Sequence, residues 1–220
     1  MMQAFTLCDA MSDSFRIRTA RHEDLPAILA IFNDLIATST VVYTETLVDL
    51  AERTAWLEAR QAAGFPVLVA EEMPLQAGSS GASGVAGALG VEGGLQGAQV
   101  LADGRALSAS RPVVLGYASF GTFRGSWPGY RHTVEHSVHV RADQRGRGLG
   151  TALIHALFAE AQARDVHVMV GAIDAENTGS LRLHERLGFV ETGRMLQVGC
   201  KFGRWLDLVF MQRFMTGERA

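Results

Sequence analysis

Residues 143–150 read DQRGRGLG, with Gly146, Gly148 and Gly150 at every second position and Arg145 and Arg147 between and before them. Such a stretch can be a surface turn, an RGG-like nucleic-acid tag or a cradle for phosphates, and the flanking sequence has to choose. Upstream, HTVEHSVHV (132–140) alternates: Val134, His136, Val138 and Val140 share one face of a strand, and Thr133, Glu135, Ser137 and His139 the other. Downstream, Leu149, Leu153, Ile154, Leu157 and Phe158 recur at helical spacing. Strand, glycine-rich turn and helix N-terminus together make an anion site. The first N–H groups of a helix lack partners and its dipole favours negative charge there. Glycines let that backbone approach a phosphate, and Arg145 and Arg147 add charge for peripheral phosphates. The P-loop pattern GxxxxGK[ST] is absent, and GxGxxG is not met because the spacing here is GxGxG.

Composition narrows the choice further. The chain has 220 residues, 48% of them apolar, and a net charge of −3. That is one globular domain with a sizeable core, without the basic excess that nucleic-acid binding asks for. The two cysteines, Cys8 and Cys200, form no CxxC and no secreted disulfide framework, so a reducing compartment is expected. No apolar run reaches the ~18 residues of a membrane span. The N-terminus does not read as a signal peptide. Met11 opens MSDSFRIRTA, which resembles a natural start, so residues 1–10 are expected to be a tail or to follow a misplaced start codon, and residues 1–14 together form the N-terminal tail before the domain.

The elements that must hold the phosphate loop follow from periodicity. Residues 15–20 read as a strand. Asp24 and Pro26 open a helix whose buried face is Leu25, Ile28, Leu29, Phe32, Leu35 and Ile36. Residues 39–45 read as a loop, 47–63 as a second helix and 66–71 as a strand. Residues 74–110 hold nine of the 24 glycines and three charged residues, a composition suited to a flexible insertion between adjacent strands. Strands are expected at 112–120, 132–140, 166–173, 189–198 and 205–214, with a helix from Asn177 to Leu187 stopped by Gly188. The domain then spans 15–214, with 215–220 as a C-terminal tail. This order is mixed α/β.

The triplet Arg145, Gly148, Gly150 fits R-x-x-G-x-G, the pyrophosphate signature of the GNAT family of acetyl-CoA-dependent N-acetyltransferases. GYASFGTFRGSWPGYRHTVEHSVHV (116–140), AIDAENTGSLRLHERLGF (172–189) and VGCKFGRWLDLVFMQ (198–212) resemble the phosphinothricin and methionine sulfone acetyltransferase branch of that family. So do IRTARHEDLPAILAIFND (17–34) and STVVYTET (39–46). The resemblance implies the GNAT acyl-CoA N-acyltransferase fold, a mixed central sheet splayed open at strand 132–140 to admit acetyl-CoA. It also implies a homodimer, and the reducing compartment read from the cysteines is expected to be the cytoplasm.

Acetyl transfer needs a neutral amine, and an α-amine with a pKa of ~8 is mostly protonated at neutral pH, so a base is required. Glu135, an ordinary half-exposed carboxylate by alternation alone, matches the family's catalytic glutamate. The resemblance gives the pantetheine to the backbone of Val138, His139 and Val140, and a free N–H near Val138 suits an oxyanion. It gives the pyrophosphate to Arg145, Gly146, Arg147, Gly148, Leu149, Gly150 and Thr151. Asn177 and Ser180 can cap a helix; in the family this Asn contacts acetyl-CoA. His184 stands where relatives carry the acid for the departing thiolate, and reads equally as a packed helix histidine.

Substrate contacts are implied at Arg124, Gly125 and Ser126 and at Glu135, His136 and Ser137. A guanidinium suits a carboxylate, so Arg124 and, secondly, Arg131 are candidates for holding an amino acid. Phe32, Tyr43 and Trp127 could line its side-chain pocket or simply be core. His132, His136 and His139 do not close a metal triad on one strand face, and no metal is expected. Cys200 has no neighbouring base and is not read as a nucleophile.

The function implied is acetylation of the α-amine of a small amino-acid-like substrate (L-methionine sulfone or sulfoximine, phosphinothricin) by direct attack on the thioester, as detoxification. The rivals are another amine acceptor (polyamine, aminoglycoside, protein N-terminus) and a silent acetyl-CoA-binding module.

Overall fold

The computed structural model describes residues 14–73, 113–125 and 127–215. The expected start at Met11, Cys8, the Gly/Ala-rich segment, the substrate contact at Ser126 and residues 216–220 lie outside them.

One sheet of seven strands runs in the order β1-β2-β3-β4-β5-β7-β6. Its strands are β1 (Phe15–Thr19), β2 (Val67–Glu72), β3 (Val114–Thr122), β4 (Thr133–Val140), β5 (Val168–Asp174), β6 (Val190–Lys201) and β7 (Arg204–Phe214). Every pairing is antiparallel except β4 with β5. Among the described residues, four α-helices flank it: α1 (Leu25–Thr38), α2 (Leu50–Ala62), α3 (Leu149–Gln162) and α4 (Thr178–Arg186).

Strand alternation divides the core between the two faces. Val67 and Val69 of β2 pack with Leu25, Ile28, Ile31 and Leu35 of α1 and Leu57 of α2. Leu68 and Ala70 turn the other way, to Leu149, Leu153, Ile154 and Leu157 of α3. Each fully buried leucine contributes roughly 1.5–3 kcal/mol. Met215, just beyond β7, is buried in the α3 core.

The second helix begins later than its apolar pattern suggests. Leu47 and Leu50 are exposed, and the start is fixed by chemistry instead. Asp49 accepts from Glu52 N at 2.8 Å while the Glu52 carboxylate accepts from Asp49 N at 2.9 Å, a reciprocal cap. Just before it, Asn33 of α1 bonds both the N–H and the C=O of Val48, so α1 fixes where α2 starts.

Candidate active site

The parallel pairing of β4 with β5 runs from Thr133 with Val168 to His136 with Gly171 and stops there. Beyond that point β4 continues to Val140 beside β3 only, and β5 continues to Asp174 beside β7 only. The sheet is therefore open between Ser137–Val140 and Ala172–Asp174. A cavity of about 560 Å³ lies over this opening. Gly171 keeps the seam close: a Cβ there would stand 3.1 Å from His136 Nε2.

Glu135 lines the cavity at its closed end, one residue before the strands part. Its side chain reaches solvent, yet the surrounding protein raises its pKa above the ordinary carboxylate value, with Arg60 opposing that rise. Arg60 lies across Gly121, the β3 partner of Glu135 in register. A raised carboxylate is the stronger base.

On the α4 side, His136 and His184 are buried and their Nε2 atoms are 3.2 Å apart. Nδ1 of His184 lies 2.7 Å from the Ser180 carbonyl, so it must carry the proton. Nε2 of neutral His184 is then an acceptor, and His136 donates to it from Nε2, leaving His136 Nδ1 bare and without a partner. Burial pushes His136 down to about 3 and lowers His184 too. In this arrangement His184 can give a proton from Nε2 only as an imidazolium.

His139 faces the opposite side of β4, against Tyr117 and Phe32. Val138 and Val140 pack on the α3 core, so only their backbone is available along the opening. Beyond β4 the chain enters the glycine turn. Gly146 and Gly148 both have φ +80°, a left-handed conformation that favours glycine, and neither Cβ position meets another atom within 4 Å. Gly148 caps α3 with no side-chain hydrogen bond, which leaves the first-turn N–H groups of Leu149, Gly150 and Thr151 facing outward. Gly150 has a separate role: a Cβ there would lie 3.1 Å from Leu183 Cδ2 of α4. Arg145 and Arg147 are exposed beside this turn. Asn177 caps α4 by accepting from Ser180 N at 3.1 Å, and both residues also line the cavity.

Glu135, His136, Ser137, Val138, His139, Asn177, Ser180 and His184 thus come together around one cavity. Arg124, Gly125 and Arg131 do not line it; they are exposed in the β3–β4 connection. Of the aromatic residues expected at the pocket, Phe32 and Tyr43 line it, whereas Trp127 does not and is 73% exposed. Among the described residues, no group of three or more His, Cys, Asp or Glu side chains is placed to hold a metal ion.

Of the residues that build the far wall, sequence reasoning picked out Tyr43 and missed the others. Lys201, fully buried, donates to the carbonyls of Ser39 and Val42 at 2.7 and 2.8 Å. Thr40 donates to Asp174, and Tyr43 Oη donates to the Asp207 carbonyl at 2.9 Å. These bonds hold residues 39–43 against the C-terminal half of the sheet, with Val42 and Tyr43 turned to the cavity. Arg53 of α2 is buried at the same cavity.

The acetyltransferase (GNAT) family profile matches residues 99–189. An L-methionine sulfoximine/L-methionine sulfone acetyltransferase of Pseudomonas paraeruginosa is 47% identical over 207 residues, covering 94% of this chain and 98% of the relative. A phosphinothricin N-acetyltransferase of Alcaligenes faecalis is 33% identical over 198 residues, covering 90% and 81%. The structure of yncA from Salmonella typhimurium with its cofactor acetyl-CoA superposes with a TM-score of 0.71 at 39% identity, covering 94% of this chain and 96% of that one.

Proposed function

This chain belongs to the GNAT acetyltransferase family, and on that premise we propose that it transfers the acetyl group of acetyl-CoA to the α-amine of a small amino acid of the methionine sulfone, methionine sulfoximine or phosphinothricin type. The observation that carries this reading is Glu135: a carboxylate of raised basicity, lining the cavity where β4 and β5 part.

Acetyl-CoA supplies the acyl group as an activated thioester. The residues present suit it. Uncapped N–H groups of α3 and the glycines at positive φ offer a pyrophosphate site, with Arg145 and Arg147 beside it. The unpaired edge of β4 from Val138 to Val140 offers main-chain hydrogen bonds to an extended pantetheine, and an N–H near Val138 for developing oxyanion charge. Asn177 and Ser180 stand at the opposite rim.

Glu135 takes the proton from the acceptor ammonium, directly or through water, and so frees the nucleophile. Ser137 and His136 shape the floor beneath it. His184 is assigned the acid role through Nε2 and needs a proton there to perform it. The loop with Arg124, Gly125 and Arg131 leaves the sheet beside Gly121 and Glu135, and is assigned to the acceptor side.

We assign the chain a cytoplasmic, detoxifying role as a homodimer. No described helix is long and apolar enough to cross a membrane. Cys200 is a free, exposed thiol. The sheet ends on β6, a 12-residue edge strand exposed along most of its length, with Met195, Leu196 and Val198 on it and Phe202 and Trp205 beside it. A long apolar edge of this kind calls for a covering partner, and a second copy is the economical one.

The test is release of free CoA thiol from acetyl-CoA with L-methionine sulfone, phosphinothricin, spermidine or no acceptor. Turnover on the first two supports the reading. Turnover on spermidine alone overturns it.

A further inference from the structure

We propose that Arg53, on the buried face of α2, is the residue that holds the acceptor's α-carboxylate; this rests on the amino-acid reading above. Arg53 is 94% buried, its relative exposure being 6%. Its Nε has no hydrogen-bond partner, and among the described residues its guanidinium forms no ion pair. The guanidinium carbon lies 3.9 Å from the centre of the Phe32 ring and 4.8 Å from that of Trp56. Both rings make cation–π contacts with the guanidinium, and its unpaired Nε–H is left for a ligand.

The Glu52 charge acts on Arg53 but forms no ion pair with it. Glu52 precedes Arg53 in sequence, but its side chain is spent on capping the N-terminus of α2 through Asp49 N. Two further unsatisfied polar atoms stand in the same quarter: Nδ1 of His139 and the hydroxyl of Tyr117, whose rings are 5.0 Å apart. Arg53 and His139 both line the cavity that Glu135 lines. A protein that buries an uncompensated charge and leaves donors beside it unpaired carries a cost that a bound anion removes.

The acceptor's chemistry selects which anion. A sulfone is neutral, and its oxygens accept hydrogen bonds without balancing a full positive charge. The α-carboxylate is ionised and common to every acceptor of this class. It is also attached to the same carbon as the amine, so fixing it at Arg53 limits where the amine can stand relative to Glu135. The role that the sequence suggested for Arg124 thereby passes to a residue inside the cavity.

Steady-state kinetics of the full chain test this, comparing Arg53→Met and Arg53→Lys with wild type on L-methionine sulfone, its carboxamide and L-methionine. Arg53→Met raises KM for the sulfone on the order of 100-fold, leaves KM for acetyl-CoA unchanged, and adds little to the loss already suffered by the carboxamide. Arg53→Lys recovers part of the loss. Equal losses on acid and amide overturn the proposal. So does a loss on the sulfone that spares L-methionine, which would give Arg53 the sulfone instead.

Thermal melting supplies a second reading that does not need turnover. Without ligand, Arg53→Met melts roughly 2–6 °C higher than wild type, because an unpaired buried charge is gone; a lower melting point would mean a structural partner and contradict the proposal. L-methionine sulfone alone raises the melting point of wild type and not of Arg53→Met. That shift without turnover in any wild-type assay would sink the amino-acid acetyltransferase reading and keep the carboxylate site. No shift in wild type would sink the site.

Discussion

A Cβ on Gly121 would stand 1.2 Å from Nη1 of Arg60: the arginine lies where any larger residue would put its side chain. Gly121 faces Glu135 across the β3–β4 register, so the missing side chain lets the cation lie alongside this carboxylate. Burial raises the Glu135 pKa and Arg60 pulls it back. Arg60 is itself half-buried, and burial lowers its own pKa while Glu135 counteracts this.

Arg60→Met therefore moves the acidic limb of the kcat/KM–pH profile. In the proposed mechanism catalysis needs ionised Glu135, so activity falls as pH drops through its pKa. Removing the cation removes the influence that lowers that pKa, and the limb shifts to higher pH. A profile that stays in place, or moves to lower pH, contradicts this coupling.

Gly148 tests the proposed phosphate site. At φ +80°, an L-residue costs about 1–2 kcal/mol of strain, while its Cβ meets no protein atom within 4 Å. Gly148→Val accordingly lowers stability modestly but raises KM for acetyl-CoA about tenfold or more, because the new side chain occupies the approach to the α3 N-terminus. KM for the acceptor stays near wild type. Calorimetry of acetyl-CoA binding checks the loss.

The glycine turn and the strand before it were legible because their chemistry is local. Spacing within DQRGRGLG and alternation within HTVEHSVHV are properties of neighbouring residues. Where the sheet parts was legible only through family resemblance, since the end of β4–β5 pairing depends on two strands some 35 residues apart. The arginines were missed because their meaning is tertiary. Arg53, Trp56, Leu57 and Arg60 share one face of α2, and a charge on an apolar helical face was the available signal. Lys201 gave none, since the carbonyls it holds belong to residues 39 and 42, at the far end of the chain. The start of α2 was misjudged for a related reason: Leu47 and Leu50 fit the apolar period, but the Asp49–Glu52 cap decides.

Buried neutral histidines make the fold sensitive to acid. His136 is held down at about 3 and His139 at about 4, against ~6.5 when unfolded. Between those values the unfolded chain binds more protons than the native one. Stability is full above pH 6.5 and is lost as pH falls toward the folded values. Each such histidine contributes about 2 kcal/mol of loss between pH 7 and 5. His136→Phe should flatten the stability–pH slope by that amount, as read from urea unfolding at the two pH values. An unchanged slope would mean that His136 binds protons in the native state as readily as in the unfolded chain.

Glu135 is proposed to deprotonate the acceptor, and Glu135→Gln isolates that step. The amide keeps the size of the side chain and removes its basicity. The account predicts that CoA release with L-methionine sulfone falls by about 10²–10³ in kcat at pH 7.5, that KM for acetyl-CoA holds, and that part of the loss returns as pH rises and the free amine becomes abundant. Turnover at the wild-type rate, with the same pH profile, would contradict it.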